Sequence, residues 1–200
     1  MEKKETFYTL PAPYHHQQEI RKSIFLAQAF PVSSINQAMD TIQNHRDPEA
    51  THNCWAYRIG QHYRSDDDGE PSGTAGRPIL QVIEKQNYNE VLVIVTRWFG
   101  GIKLGAGGLI RAYSGTAAEC LRQASAILYI PQKNIEVTCS FSDYALVKSR
   151  IAEYGGILQQ EDFCSQHVSM NLTIPEDQYD AMLTRILDIT RGQALIKIKD

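Results

Sequence analysis

Four carboxylates fall within five positions of the segment Ser65-Asp66-Asp67-Asp68-Gly69-Glu70-Pro71. Hard cations such as Mg²⁺ and Ca²⁺ take oxygen ligands, so Asp67, Asp68 and Glu70 are candidates for holding Mg²⁺. The ligand spacing of an EF-hand is absent, and the run of Asp66, Asp67, Asp68 and Glu70 serves equally as a surface for basic partner segments or as a solvated turn. A second group is Arg97-Trp98-Phe99-Gly100-Gly101-Ile102-Lys103-Leu104-Gly105-Ala106-Gly107-Gly108. At Gly100, Gly101, Gly105, Gly107 and Gly108 the backbone N–H groups can approach a ligand closely. The start of the helix that follows favours an anion, and Arg97, Lys103 and Arg111 add charge and hydrogen bonds suited to phosphate. No Gly-Lys-Ser/Thr follows at Walker spacing, and Ile110 stands where the last glycine of a dinucleotide fingerprint belongs. The same glycines would equally permit a sharp turn and tight helix packing. The third group is His52-Asn53-Cys54-Trp55, where His52 and Cys54 share one face of a strand. Side chains two apart on a strand stand side by side, so a packed strand with a buried thiol is favoured over a Cys–His nucleophile. No G-x-S-x-G elbow and no H-E-x-x-H occurs, which removes support from hydrolases of those types.

The elements that position these residues follow from periodicity. Tyr14 to Phe30 reads as an antiparallel strand pair. Ser33 or Ser34 caps a helix reaching about His45, and Thr51 to Ile59 forms a strand. Tyr63 to Pro78 reads as an acidic loop, followed by a short helix through Ile79, Leu80, Val82 and Ile83. The apolar run Val91 to Val95 fits a strand buried on both faces. A long helix is expected from about Gly107 to Ala126, with Leu109, Tyr113, Ala117, Cys120 and Ala124 inward. Beyond Pro131, Ile135, Val137, Cys139 and Phe141 alternate with polar residues as a half-buried strand. Ser142 or Asp143 then caps a helix packed through Tyr144, Val147, Ile151 and Tyr154 and stopped by Gly155-Gly156. Ile157 to Phe163 and Val168 to Ile174 read as strands. Pro175 suits the first turn of a helix with Tyr179, Met182, Leu183, Ile186 and Leu187 inward, and Ala194, Ile196 and Ile198 make a last strand. This β-α-β-β-α-β order is the split βαβ, ferredoxin-like unit. The expected organisation is therefore α+β, with residues 1–130 as one domain and 131–200 as a second.

The 200 residues are 42% hydrophobic and 22% charged with a formal net charge of −3, which suits a folded protein and argues against holding duplex nucleic acid by bulk charge. Four scattered cysteines without a CxxC pair argue against a disulfide framework or zinc ribbon. No apolar run approaches membrane-spanning length, so a cytoplasmic protein without membrane partners is expected.

Asp67-Asp68-Gly69-Glu70-Pro71, Thr74-Ala75-Gly76-Arg77-Pro78 and Arg97-Trp98-Phe99-Gly100-Gly101 closely resemble the signature of the YigZ/IMPACT family. Leu104-Gly105-Ala106-Gly107-Gly108-Leu109 and Ala112-Tyr113 continue the match. The resemblance implies an N-terminal domain similar to domain 2 of a small-subunit ribosomal protein and to domain IV of elongation factor G. It likewise implies a C-terminal domain similar to domain V of that factor. It further implies a role near translation, with the ribosome, RNA or a translation-factor-associated protein as partner. A binding role is expected ahead of catalysis. The alternatives are a metal-assisted phosphoryl or phosphodiester enzyme and a protein–protein adaptor.

Overall fold

A computed structural model describes residues 6–199, which divide into two compact units, one of residues 7–129 and one of residues 130–199 together with Thr6. In the first unit, β1 (Phe7–Thr9), β2 (Tyr14–Ile20) and β3 (Ser23–Pro31) precede α1 (Ile35–His45). Then come β4 (His52–Ile59), β5 (His62–Asp66), α2 (Gly76–Lys85), β6 (Val91–Trp98), α3 (Ala106–Gln123) and β7 (Ile127–Tyr129). Strands β2-β3-β6-β4-β5 form an antiparallel sheet with β6 at its centre. The apolar run of β6 is explained by its place, because alternate residues feed two cores. Val91, Val93 and Val95 join Phe25, Ala27 and Ala56 beneath α2 and α3, while Leu92 and Ile94 pack with Tyr57, Ala38 and Ile42 beneath α1. Each fully buried Val, Leu or Ile side chain contributes about 1.5–3 kcal/mol, so this strand anchors the unit.

The second unit runs β8 (Gln132–Cys139), α4 (Phe141–Glu153), β9 (Ile157–Phe163), β10 (Val168–Pro175), α5 (Tyr179–Ile189) and β11 (Leu195–Lys199). Its antiparallel sheet has the order β11-β8-β10-β9, the arrangement of a split βαβ unit. Ile135, Val137, Val168, Met170, Leu172 and Ile174 face the helices and are buried. The protein is thus α+β, as its element pattern indicates. Among the described residues no helix is long and apolar enough to cross a membrane.

Several boundaries differ from the sequence expectation. Tyr63 to Asp66 is not loop but most of β5, paired with β4, and Gly76 to Pro78 already belongs to α2. Arg97 and Trp98 end β6 rather than opening the glycine turn. Phe141 begins α4 and is half exposed, because Ser140 turns the chain by accepting from the Asp143 N–H; neither Ser142 nor Asp143 is the cap. Pro175 ends β10 instead of opening α5. The short pair β1–β7 carries no periodic signal in the sequence and forms only through pairing between chain segments far apart.

Candidate functional site

The acidic segment is bound into the protein by its own backbone. Asp67 accepts from the N–H groups of Gly73 (2.7 Å), Ala75 (3.0 Å) and Gly76 (2.8 Å), and so caps α2, whose N-cap residue Ala75 offers no side-chain acceptor. Asp68 accepts from Arg46 (2.5 Å) and from the Asn53 N–H (2.6 Å), and Asp66 from the Asp68 N–H (2.8 Å). The Mg²⁺ candidates Asp67, Asp68 and Glu70 thus face three different sets of partners. Among the described residues no group of three or more His, Cys, Asp or Glu side chains could hold a metal ion.

Glu70 is the inward member. Its side chain is 3% exposed and accepts from Arg97 Nη1 (2.6 Å) and Tyr113 Oη (2.7 Å), while His52 Nε2 lies 3.7 Å from its other oxygen. The His52 ring is set by its Nδ1–H, which donates to the Asp68 carbonyl (2.7 Å). Beside this network the Cys54 thiol donates to the Asp67 carbonyl (3.0 Å), and burial pushes that thiol far above its ordinary range. Burial likewise raises the Tyr113 hydroxyl. Cys54 is therefore a protonated core group, as the packed-strand reading expects, and not a poised nucleophile.

Arg97 does not stand with the other cations of the glycine-rich group. It is 5% exposed, its guanidinium lies 5.5 Å from the ring centroids of both Phe25 and Phe99, and its Nε has no hydrogen-bond partner among the described residues. Lys103 and Arg111 are exposed. A cleft of about 380 Å³ opens against the first turn of α3, lined by His52, Glu70, Arg97, Phe99, Lys103 and Leu104 among others. On the other side of Leu104 a second depression is bounded by Arg21, Gly108 and Arg111.

Arg21 and its neighbour Lys22 were not legible as site residues. They form the two-residue turn between β2 and β3, where Ile20 pairs with Ser23 and both turn residues take left-handed φ values of 48° and 66°. Gly100 brings them to the glycine turn: a Cβ there would lie 1.9 Å from the Lys22 carbonyl oxygen, so only glycine permits the approach. Arg21, Lys22, Lys103 and Arg111 are all exposed, and none is in an ion pair among the described residues.

The sequence model of the Impact N-terminal domain matches residues 21–121, and that of a domain of unknown function, DUF1949, matches residues 137–193. A Thermus thermophilus protein named IMPACT family member in pol 5′region is 39% identical over 183 residues, covering 89% of this chain and 99% of that one. The Escherichia coli IMPACT family member YigZ is 28% identical over 195 residues, covering 94% of this chain and 95% of its own. A solved structure titled as that of a hypothetical protein superposes with a TM-score of 0.63 at 26% identity, covering 98% of both chains.

Proposed function

This chain belongs to the IMPACT family, and from that premise we propose that it is a translation-associated binding protein whose N-terminal unit contacts RNA phosphates. The contact surface is the depression between Arg21 and Arg111, extended by Lys22 and Lys103. The observation that carries this reading is the β2–β3 turn. Two-residue turns of this kind favour Asn-Gly, and a non-glycine residue at left-handed φ costs about 1 kcal/mol. Here two cations occupy it, held by Gly100 against the turn that carries Lys103 and leads into α3, which carries Arg111. Strain of this sort gathers at functional surfaces. Unpaired cations around a glycine-rich backbone suit phosphate oxygens, and the overall charge of −3 confines the attraction to this face.

A metal-assisted phosphoryl enzyme draws less support, since Asp67, Asp68 and Glu70 are each committed to separate protein donors. The test is sedimentation of the tagged protein with ribosomal subunits at low and moderate salt, paired with fluorescence anisotropy on single-stranded RNA. Binding should weaken with salt by a log–log slope of about −0.7 per phosphate engaged. Arg111→Glu should lower RNA affinity by more than roughly tenfold at low salt. Affinity indifferent to both salt and Arg111→Glu would remove RNA as the partner, and a nuclease-resistant pull-down would then favour a protein adaptor.

A further inference from the structure

The cleft at the start of α3 adjoins the RNA surface proposed above and shares Lys103 with it, but Arg21 and Arg111 do not line it. Its body is apolar, with Phe99, Leu104, Leu109 and Pro71 around a volume of about 380 Å³, within the range of small-molecule sites. Three polar features border it. The first is the start of α3, an 18-residue helix whose N-cap residue is Gly105 and which receives no side-chain cap. Ser34, Asp67 and Ser140 supply acceptors to α1, α2 and α4, while α5, like α3, has no side-chain cap. The free N–H groups and the positive end of the dipole favour an anion there. The second is Arg97, which lines the cleft, is 5% exposed and is held by Glu70 and Ser23, its Nε–H enclosed by the protein. The third is His52, whose Nδ1 is fixed on the Asp68 carbonyl while its Nε2 has no hydrogen-bond partner among the described residues, Glu70 being 3.7 Å away.

The charges of Glu70 and Arg97 cancel, so Lys103 and the helix end leave the cleft positive. We propose that it binds a mononucleotide, meaning a phosphate monoester carried on a flat ring body. The phosphate sits at the first turn of α3 under Lys103, where several donors match its three terminal oxygens. The ring body lies along Phe99 and Leu104, and a hydroxyl or ring N–H donates to His52 Nε2. Phe99 is a prepared wall for this, since the Arg97 guanidinium lies 5.5 Å from its ring centroid.

The experiment is ¹⁵N-resolved NMR titration of the full chain with adenosine monophosphate, with adenosine and inorganic phosphate as separate probes. Saturable shifts of the amides of Phe99 and of Gly105 to Leu109 are expected with the nucleotide, and much weaker binding of either fragment. Lys103→Ala should weaken nucleotide binding roughly tenfold, the value of one charge-assisted hydrogen bond. Ala106→Asp provides a folded control: its carboxylate caps α3 and preserves or raises the melting temperature, yet occupies the phosphate position and abolishes binding. Arg111→Glu should leave nucleotide binding within about twofold while RNA binding falls, because Arg111 lies outside the cleft. Three results would overturn the assignment: inorganic phosphate binding as tightly as the nucleotide, no saturable shifts at these amides, or binding intact in Ala106→Asp. Joint loss of RNA and nucleotide binding in Arg111→Glu would make the cleft part of the RNA surface and refute a separate site.

Discussion

Glu70→Gln changes one charge at nearly constant volume, and its consequence can be worked from the geometry. The glutamine oxygen can still accept from Tyr113, but the Arg97 guanidinium, with a side chain 6% exposed, loses the carboxylate charge it pairs with. Removing one partner of a buried pair costs about 3–5 kcal/mol, because the remaining charge is left uncompensated. For a unit of roughly 120 residues the unfolding entropy is about 0.25 kcal/mol/K, so the melting temperature should fall by about 12–20 °C. Both tryptophans, Trp55 and Trp98, lie in this unit, so urea unfolding followed by tryptophan fluorescence reports on it alone. The second arm of the test is Glu70→Gln combined with Arg97→Met. Taking away both charges removes the uncompensated cation, so the double variant should be more stable than Glu70→Gln by at least about 2 kcal/mol. A loss below about 1 kcal/mol in Glu70→Gln, or a double variant equal to the sum of its singles, would refute the view that this pair is desolvated and coupled.

Two further outcomes follow from the same region. Asp67→Ala strips the acceptor from three backbone N–H groups at the start of α2 and should cost about 2 kcal/mol in urea unfolding, with Asp67→Asn recovering part of it. Burial raises the Cys54 thiol and pushes the Cys120 thiol up to about 12, so both stay protonated in the folded state while the unfolded chain ionises near pH 8.5–9. The unfolded state then binds fewer protons. The stability these thiols contribute is fully present below about pH 8.5 and falls by about 1.4 kcal/mol per thiol for each further pH unit, up through the folded values. The urea midpoint of the N-terminal unit should drop steeply between pH 8 and 10, and Cys120→Ser should lessen the slope; a flat midpoint over that range would contradict it.

Much of the frame was legible along the chain. The alternation through Val168 to Ile174, the uninterrupted apolar run of β6 and the inward stripe of α3 each reflect a local period, and a local period survives whatever the tertiary context. The family signature was legible for a different reason, since it consists of short ordered motifs. What a linear reading could not supply was the partner of each charge. Arg97, Lys103 and Arg111 look alike in sequence, yet β6 carries Arg97 inward onto Glu70 while the other two face solvent. The carboxylates of Asp67, Asp68 and Glu70 are neighbours in the chain, but tight turns send them to a helix end, to Arg46 and to the core. Arg21 and Lys22 became site residues only because a hairpin turn lies over Gly100, 78 positions after Lys22 in the chain. Sequence by itself determined most of the helices and strands and the family they build, because those depend on near neighbours and on motif order, whereas β5 and the β1–β7 pair emerge only from pairing across the fold. Tertiary structure alone decided which charges are buried and which are free, because solvation and pairing are settled by residues distant in the chain.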